Sequence, residues 1–189
     1  MRYIADTVDF ELKEPTVVTL GKFDGRHRGH QKLLRTMEEV KESLGYATAI
    51  FTFSTAPLTL VTGETATVIT TSEERRHNME KMGIDYLVEY PFTDDVRKMD
   101  PAVFVKDILV KRMKAKAVVV GPDCSFGYKG AGNVGLLRTL SRELDFRLYV
   151  IEKEKDHRRD ISSTYIREEL SRGNVAKANE LLGEPYAIH

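Results

Sequence analysis

A chain of 189 residues, 41% hydrophobic and 31% charged, is long enough for one sizeable core and is most simply one domain. Lys and Arg number 29, as do Asp and Glu, so no basic excess exists to hold a nucleic-acid backbone, and neither a signal peptide nor an apolar run of spanning length appears. The expectation is a cytoplasmic protein with neither nucleic acid nor membrane as partner, and its single cysteine, Cys124, reads as a small buried hydrophobe.

The first strong strand signal is Val17-Val18-Thr19-Leu20, a β-branched and apolar run suited to a central parallel strand. It leads into Gly21-Lys22-Phe23-Asp24-Gly25-Arg26-His27-Arg28-Gly29-His30, where Gly21 and Gly25 let backbone come close to a ligand. With a helix starting near Arg26, His27 and His30 share one helical face. Imidazoles there, together with the free N–H groups of a helix N-terminus, favour an anion, and polyphosphate is the natural guest. The competing reading is a DG hairpin with two exposed histidines. A hairpin needs a second strand, whereas the following residues are apolar at 33, 34, 37 and 40, which is a helical period.

That helix is expected from about Gly29 to Leu44, stopped by Gly45, with Ala47 to Phe53 as the next buried strand. The long, lightly charged loop from Ser54 to Ile69 is placed to act as a flap over the site or as a disordered excursion. Thr71-Ser72-Glu73-Glu74 caps a helix running to Met82, Gly83 ends it, and a strand follows at Tyr86 to Tyr90. Asp100-Pro101 opens a helix carrying Phe104, Val105, Ile108 and Leu109, which leads to the most strand-like segment, Ala117 to Val120. Beyond it lies Gly121-Pro122-Asp123-Cys124-Ser125-Phe126-Gly127. This is either a loop with backbone groups for a base near Gly121 and Phe126, continued flexibly by Lys129, Gly130 and Gly132, or a simple strand-to-helix turn.

Leu136 to Leu144 reads as helix and Phe146 to Ile151 as strand, followed by a solvated mobile loop from Glu152 to Asp160 with room for a lid role. Ser162, Ser163 and Thr164 stand at the start of the last helix, with Ser163 or Thr164 expected to cap it and Arg167 in its first turn. Free N–H groups and a guanidinium can bind phosphate there, although an ordinary cap with a solvent arginine has the same pattern. Alternating β and α elements with apolar strands predict an α/β, doubly wound parallel sheet with ligands at the carboxyl ends of its strands.

These motifs, in this order, resemble the FMN adenylyltransferase module of bacterial FAD synthetases, the bifunctional riboflavin kinase/FMN adenylyltransferases of the HxGH nucleotidyltransferase superfamily. LGKFDGRHRGH is similar to the family's glycine, FDG and HxGH signature, VVVGPDCSFG to its adenine-side loop, and ISSTYIR to its second phosphate motif. Gly173 to Gly183 resembles the helix that closes the module, so the likeness covers nearly the whole chain. It implies a Rossmann-like fold of the nucleotidyltransferase type over residues 1–189, and adenylyl transfer from ATP to FMN giving FAD and pyrophosphate. HxGH and SSTxxR by themselves leave the acceptor open. The alternatives are another HxGH nucleotidyltransferase, with a pantetheine phosphate or nicotinate mononucleotide acceptor, and a non-catalytic flavin or nucleotide-binding module. The FDG turn, the GPDCSFG loop and the closing helix point to FMN.

Carried over residue by residue, the resemblance assigns His27, His30 and Arg167 to catalysis. It assigns Gly21, Lys22, Phe23, Asp24, Gly25, Gly29, Asp123, Cys124, Phe126, Gly127, Ser162, Ser163 and Thr164 to ATP, and Phe53, Ser54, Thr55, Ala56 and Pro57 to flavin. Asp24 is expected to form the turn and orient the histidines, and Mg2+ to arrive on the ATP phosphates without a protein ligand. Two departures stand out. Ser54-Thr55-Ala56-Pro57 replaces a PHP-like sequence, so FMN is expected to be held less tightly than ATP; Lys22 replaces a more usual asparagine and adds positive charge near the phosphates. The chain ends about where a riboflavin kinase module would begin, so riboflavin phosphorylation is not expected of it.

Overall fold

The computed structural model describes residues 1–54 and 67–187. One sheet holds six strands: β1 (Arg2–Ala5), β2 (Thr16–Leu20), β3 (Ala47–Phe53), β4 (Tyr86–Tyr90), β5 (Ala115–Val120) and β6 (Arg147–Val150). Their order is β1-β4-β3-β2-β5-β6 and every pairing is parallel. From β2 the chain first builds outward through β3 and β4, then returns to lay β5 and β6 on the other side. The strand order therefore reverses between β2 and β5, and a doubly wound sheet opens its ligand crevice at the carboxyl ends beside such a reversal.

Both faces of the sheet are covered, which is why its central strands are apolar at consecutive positions. Val17, Ile50, Leu87 and Val119 point to one face, against α1 (Arg28–Leu44) and α2 (Ser72–Lys81), where Leu34, Met37 and Met79 complete the layer. Val18, Ala49, Phe51, Val88 and Val118 point to the other, packed by Phe104, Leu109 and Leu137. A third cluster, Ile69, Ile161, Ile166, Ala178, Leu181 and Leu182, joins α6 (Ser163–Ser171) and α7 (Val175–Leu182) to the returning end of the loop after β3. No helix among the described residues is long and apolar enough to cross a membrane.

Thr71 closes a capping box with Glu74 at the start of α2, and Asp100 accepts from Ala102 and Val103 N–H above Pro101, as their sequences predict. That second helix, however, is α-helical only over α4 (Pro101–Val103), after the short α3 (Asp94–Arg97), and continues as a π-helix over Phe104–Arg112. The Met113 N–H reaches back five residues to the Ile108 carbonyl. The helix expected at Leu136 is α5 (Val134–Glu143), capped by Asn133.

Two elements differ from expectation. Strand β1 is an edge strand with exposed Arg2 and Tyr3, so it lacks the apolar run that marks the central strands. The segment expected as a mobile loop from 152 to 160 contains the antiparallel pair β7 (Lys155–Asp156) and β8 (Arg159–Asp160). Asp156 accepts from the Tyr165 hydroxyl at 2.8 Å and from Lys177 at 2.9 Å, which ties this hairpin to α6 and α7.

Candidate active site

After β2 the chain makes a tight turn. The Gly21 N–H donates to the Phe51 carbonyl at 3.1 Å, Lys22 is exposed, and Phe23 adopts a left-handed backbone (φ 50) that buries its ring beneath His30, centroids 4.8 Å apart. Gly25 also has positive φ, and a Cβ there would come within 2.9 Å of Ile69 Cγ2, so only glycine fits under the returning loop. Helix α1 begins at Arg28, within one residue of the expected Gly29, so His27 is not on the helical face that a start near Arg26 would have given it; it is the N-cap, and its Nδ1 accepts the His30 N–H at 3.2 Å. The His27 ring folds back to stack on His30 with centroids 3.6 Å apart and planes 18° from parallel. A Cβ on Gly29 would lie 3.2 Å from the His27 ring, which accounts for the small residue between the histidines.

Burial, together with the neighbouring His30, pushes the His27 pKa down to about 3. Burial also pushes His30 down to about 4, against the opposing pull of the Gly25 carbonyl and the Asp24 carboxylate. Both imidazoles are therefore neutral near pH 7. Because their folded pKa values lie below the free value, the unfolded chain binds more protons as pH falls below about 6.5, and stability falls with it. By pH 5.5, one unit below the free pKa, each histidine should remove roughly 1 kcal/mol. Urea unfolding at pH 7.5 and 5.5 checks this. The loss should shrink in His27→Asn and His30→Asn, and equal losses in all three proteins would contradict it.

Asp24 joins the separate motifs. Its Oδ1 accepts from the Ile69 and Thr70 N–H groups at 2.8 and 3.1 Å, and its Oδ2 from Arg167 Nη1 at 2.6 Å. Its own carbonyl accepts from Ser163 Oγ at 2.6 Å, while Thr70 Oγ1 accepts the Gly25 N–H at 3.1 Å. Asp24 does form the turn, but it does not orient the histidines: the Gly25 carbonyl holds His30 Nδ1 at 2.8 Å, and the His30 N–H holds His27. The N-cap of α6 is Ser162, which accepts from the Tyr165 N–H, rather than Ser163 or Thr164. Ser163 is engaged by Asp24, and Thr164 lies exposed beside Arg167 Nη2 at 3.4 Å.

The loop after β5 is more ordered than expected. The Phe126 ring is buried against Phe104, 5.6 Å between centroids, and both its backbone groups pair with Gly132, so Phe126 has no free backbone group for a base. Gly127 rests on Pro101, and a short 3-10 turn at Tyr128–Gly130 replaces the flexible continuation. Asp123 is exposed and pairs at 2.8 Å with Lys153, which also meets Asp160 at 3.2 Å and so ties this loop to the hairpin. Cys124 packs on the main core, where burial first and Asp123 second push its thiol up to about 12. It is no nucleophile near pH 7. At the other side of the crevice Phe53 meets Phe92 edge-on at 4.8 Å, and the exposed Ser54 donates its N–H to the Tyr90 carbonyl. Thr55, Ala56 and Pro57 lie outside the described residues.

Three supporting residues carry no sequence signal of their own. Gln31 Nε2 donates both to the Arg26 carbonyl at 2.9 Å and to the Leu182 carbonyl at 2.8 Å, fastening the histidine turn to α7. Arg26 is ion-paired with Glu184. Arg75 donates to the Lys22 carbonyl at 3.4 Å while its other nitrogen holds the buried Glu89 at 2.6 Å.

A sheet of this order, with a histidine-bearing helix start at its switch point, is an α/β nucleotidyltransferase-like fold. The FAD synthetase family profile matches residues 9–165, and the chain belongs to that family. It is similar to the bifunctional riboflavin kinase/FMN adenylyltransferase of Listeria monocytogenes, 33% identical over 174 residues, covering 90% of this chain and 54% of the relative. The protein of that description from Escherichia coli K12 is 32% identical over 177 residues, covering 93% and 56%. The chain thus spans little more than half the length of these curated relatives. Among solved structures, one described as a macrolide-efflux protein from Streptococcus pneumoniae superposes with TM-score 0.82 at 26% identity, covering 97% of this chain and 70% of that one. A pantoate-beta-alanine ligase from Francisella tularensis shares the fold alone, with TM-score 0.54 at 13% identity over 90% of this chain and 70% of that one.

Proposed function

We propose that this chain transfers the adenylyl group of ATP to FMN, giving FAD and pyrophosphate, by in-line attack of the FMN phosphate on the α-phosphorus. The observation that carries this reading, within the family, is the Asp24 junction, which holds the histidine turn and the Arg167 helix start together at the switch point. The nucleophile is already an anion, so the protein has mainly to position the reactants and stabilise charge. His27 and His30 contact the ATP phosphates where charge develops at the α-phosphorus and bridging oxygen. Arg167, Ser162, Ser163, Thr164 and the free N–H groups of α6 hold the β and γ phosphates that leave. Gly21, Lys22, Phe23, Asp24, Gly25 and Gly29 shape the phosphate turn. Asp123, Cys124 and Gly127 border the adenine, and Phe53 and Ser54 border the flavin.

The described residues contain no group of three His, Cys, Asp or Glu side chains placed to hold a cation, and the Asp24 oxygens are already bonded. This donor set fits Mg2+ held by phosphate oxygens and water. Bound there, the cation would neutralise phosphate charge. The acceptor is tested by pyrophosphate release from Mg-ATP with a panel of phosphates: turnover is expected with FMN, and turnover with pantetheine phosphate or nicotinate mononucleotide instead would overturn the assignment. Arg167→Ala should chiefly weaken ATP and pyrophosphate binding, by about tenfold or more for a lost charge-assisted contact. Calorimetry showing unchanged affinity for both would remove Arg167 from the site.

A further inference from the structure

The proton positions on the stacked histidines follow from their neighbours, because a backbone carbonyl only accepts and a backbone N–H only donates. His30 Nδ1 lies 2.8 Å from the Gly25 carbonyl and therefore carries a proton. His27 Nδ1 receives the His30 N–H at 3.2 Å and therefore carries none. A neutral imidazole holds one proton, so His27 presents an Nε2–H donor and His30 a bare Nε2 lone pair. A phosphate oxygen meets a donor at His27, but at His30 it meets another lone pair.

Resting on the nucleotide reading above, we infer that His30 takes up one proton from solvent when nucleotide polyphosphate binds and returns it when pyrophosphate leaves, while His27 stays neutral and donates throughout. The balance is imidazole plus H⁺ giving imidazolium, with no bond to phosphorus made or broken by the ring. The surroundings support one added charge and no second. His27 is stacked on His30 at 3.6 Å, which disfavours a second cation. Asp24 in the same turn favours a positive His30 and is itself paired with Arg167 from α6. Arg26 is turned to Glu184, and Arg28 and Lys32 of α1 to Glu154, so they leave His30 without a facing cation of its own helix. The returning segment contributes Ile69 and Thr70, which do not titrate, and Phe23 contributes an uncharged ring. In the free protein burial keeps His30 near 4, so at pH 6.5 the proton is absent until phosphate charge draws it in.

Calorimetric titration of a non-reacting ATP analogue with magnesium at pH 6.5, in two buffers of different ionisation enthalpy, reads this uptake. The wild-type chain should take up close to one proton more per bound nucleotide than His30→Asn. Long-range ¹H–¹⁵N correlation of the imidazole rings in the wild-type chain tests the same point without a variant. Free, His27 should show the Nε2–H tautomer and His30 the Nδ1–H tautomer; with the analogue bound, only His30 should become doubly protonated. Failure of the analogue to bind would overturn the nucleotide reading and this inference with it. Binding with equal proton uptake by the wild-type chain and His30→Asn, and a neutral His30 ring, would overturn the inference alone.

Discussion

Replacement of His30 by alanine should reduce FAD formation at least a hundredfold while the chain stays folded. Removing one preorganised group aimed at developing charge costs roughly 3 kcal/mol of transition-state stabilisation, which is a factor of about a hundred or more in rate. The ring is held for that task from three sides: the Gly25 carbonyl fixes its Nδ1, Phe23 lies 4.8 Å away and His27 is stacked on it. Little of the main core depends on it, so the far-ultraviolet circular dichroism spectrum and unfolding midpoint should stay close to those of the parent. Near wild-type turnover by the purified, folded variant would remove His30 from the reaction.

The largest loss of stability should come from Glu89→Ala. Glu89 is only 3% exposed at the carboxyl end of β4, and its oxygens accept from Tyr3 at 2.6 Å, Arg75 at 2.6 Å and Arg76 at 3.4 Å. Removing the carboxylate leaves the Arg75 side chain, 14% exposed, without its counter-charge, and breaking a buried pair in this way costs about 3–5 kcal/mol. That is a large share of the total for a single domain. Burial by itself would raise the Glu89 carboxyl, but the Tyr3 hydroxyl and the two guanidiniums outweigh it and hold the pKa below the ordinary glutamate value. The contribution is therefore present above the unfolded-state pKa and is lost as pH falls through the lower folded value. Glu89→Gln should lose less, since it keeps an acceptor of the same shape. Urea unfolding at pH 7 decides the point, and a loss of less than about 1 kcal/mol for Glu89→Ala, the worth of an exposed pair, would contradict it.

What the sequence reveals and what it hides follow one physical division. Strands β2, β3 and β5 are buried on both faces, and their apolar runs announce them. Strand β1 is announced by nothing local, because its place is set by pairing with β4 more than 80 residues away. The β7–β8 hairpin reads as a solvated charge run because the groups that anchor it, Tyr165 and Lys177, come later in the chain. The site divides in the same way. The histidine turn is a contiguous motif with a steric logic in Gly25 and Gly29, so it can be read directly. The junction at Asp24 depends on partners 45, 46 and 143 residues distant, and Gln31 depends on a carbonyl 151 residues away. That His27 caps α1 instead of sharing its face with His30 likewise depends on the backbone being extended at His27, which residue spacing does not distinguish from a first helical turn.

The central claim, that the Asp24-joined histidine and arginine motifs transfer an adenylyl group to FMN, is tested most directly by incubating the purified chain with Mg-ATP and FMN and separating the products by chromatography. FAD and pyrophosphate should appear in equal amounts, and both should be lost together in His30→Ala. Absence of FAD from a folded chain that binds both ATP and FMN would contradict the claim and leave a binding module in its place.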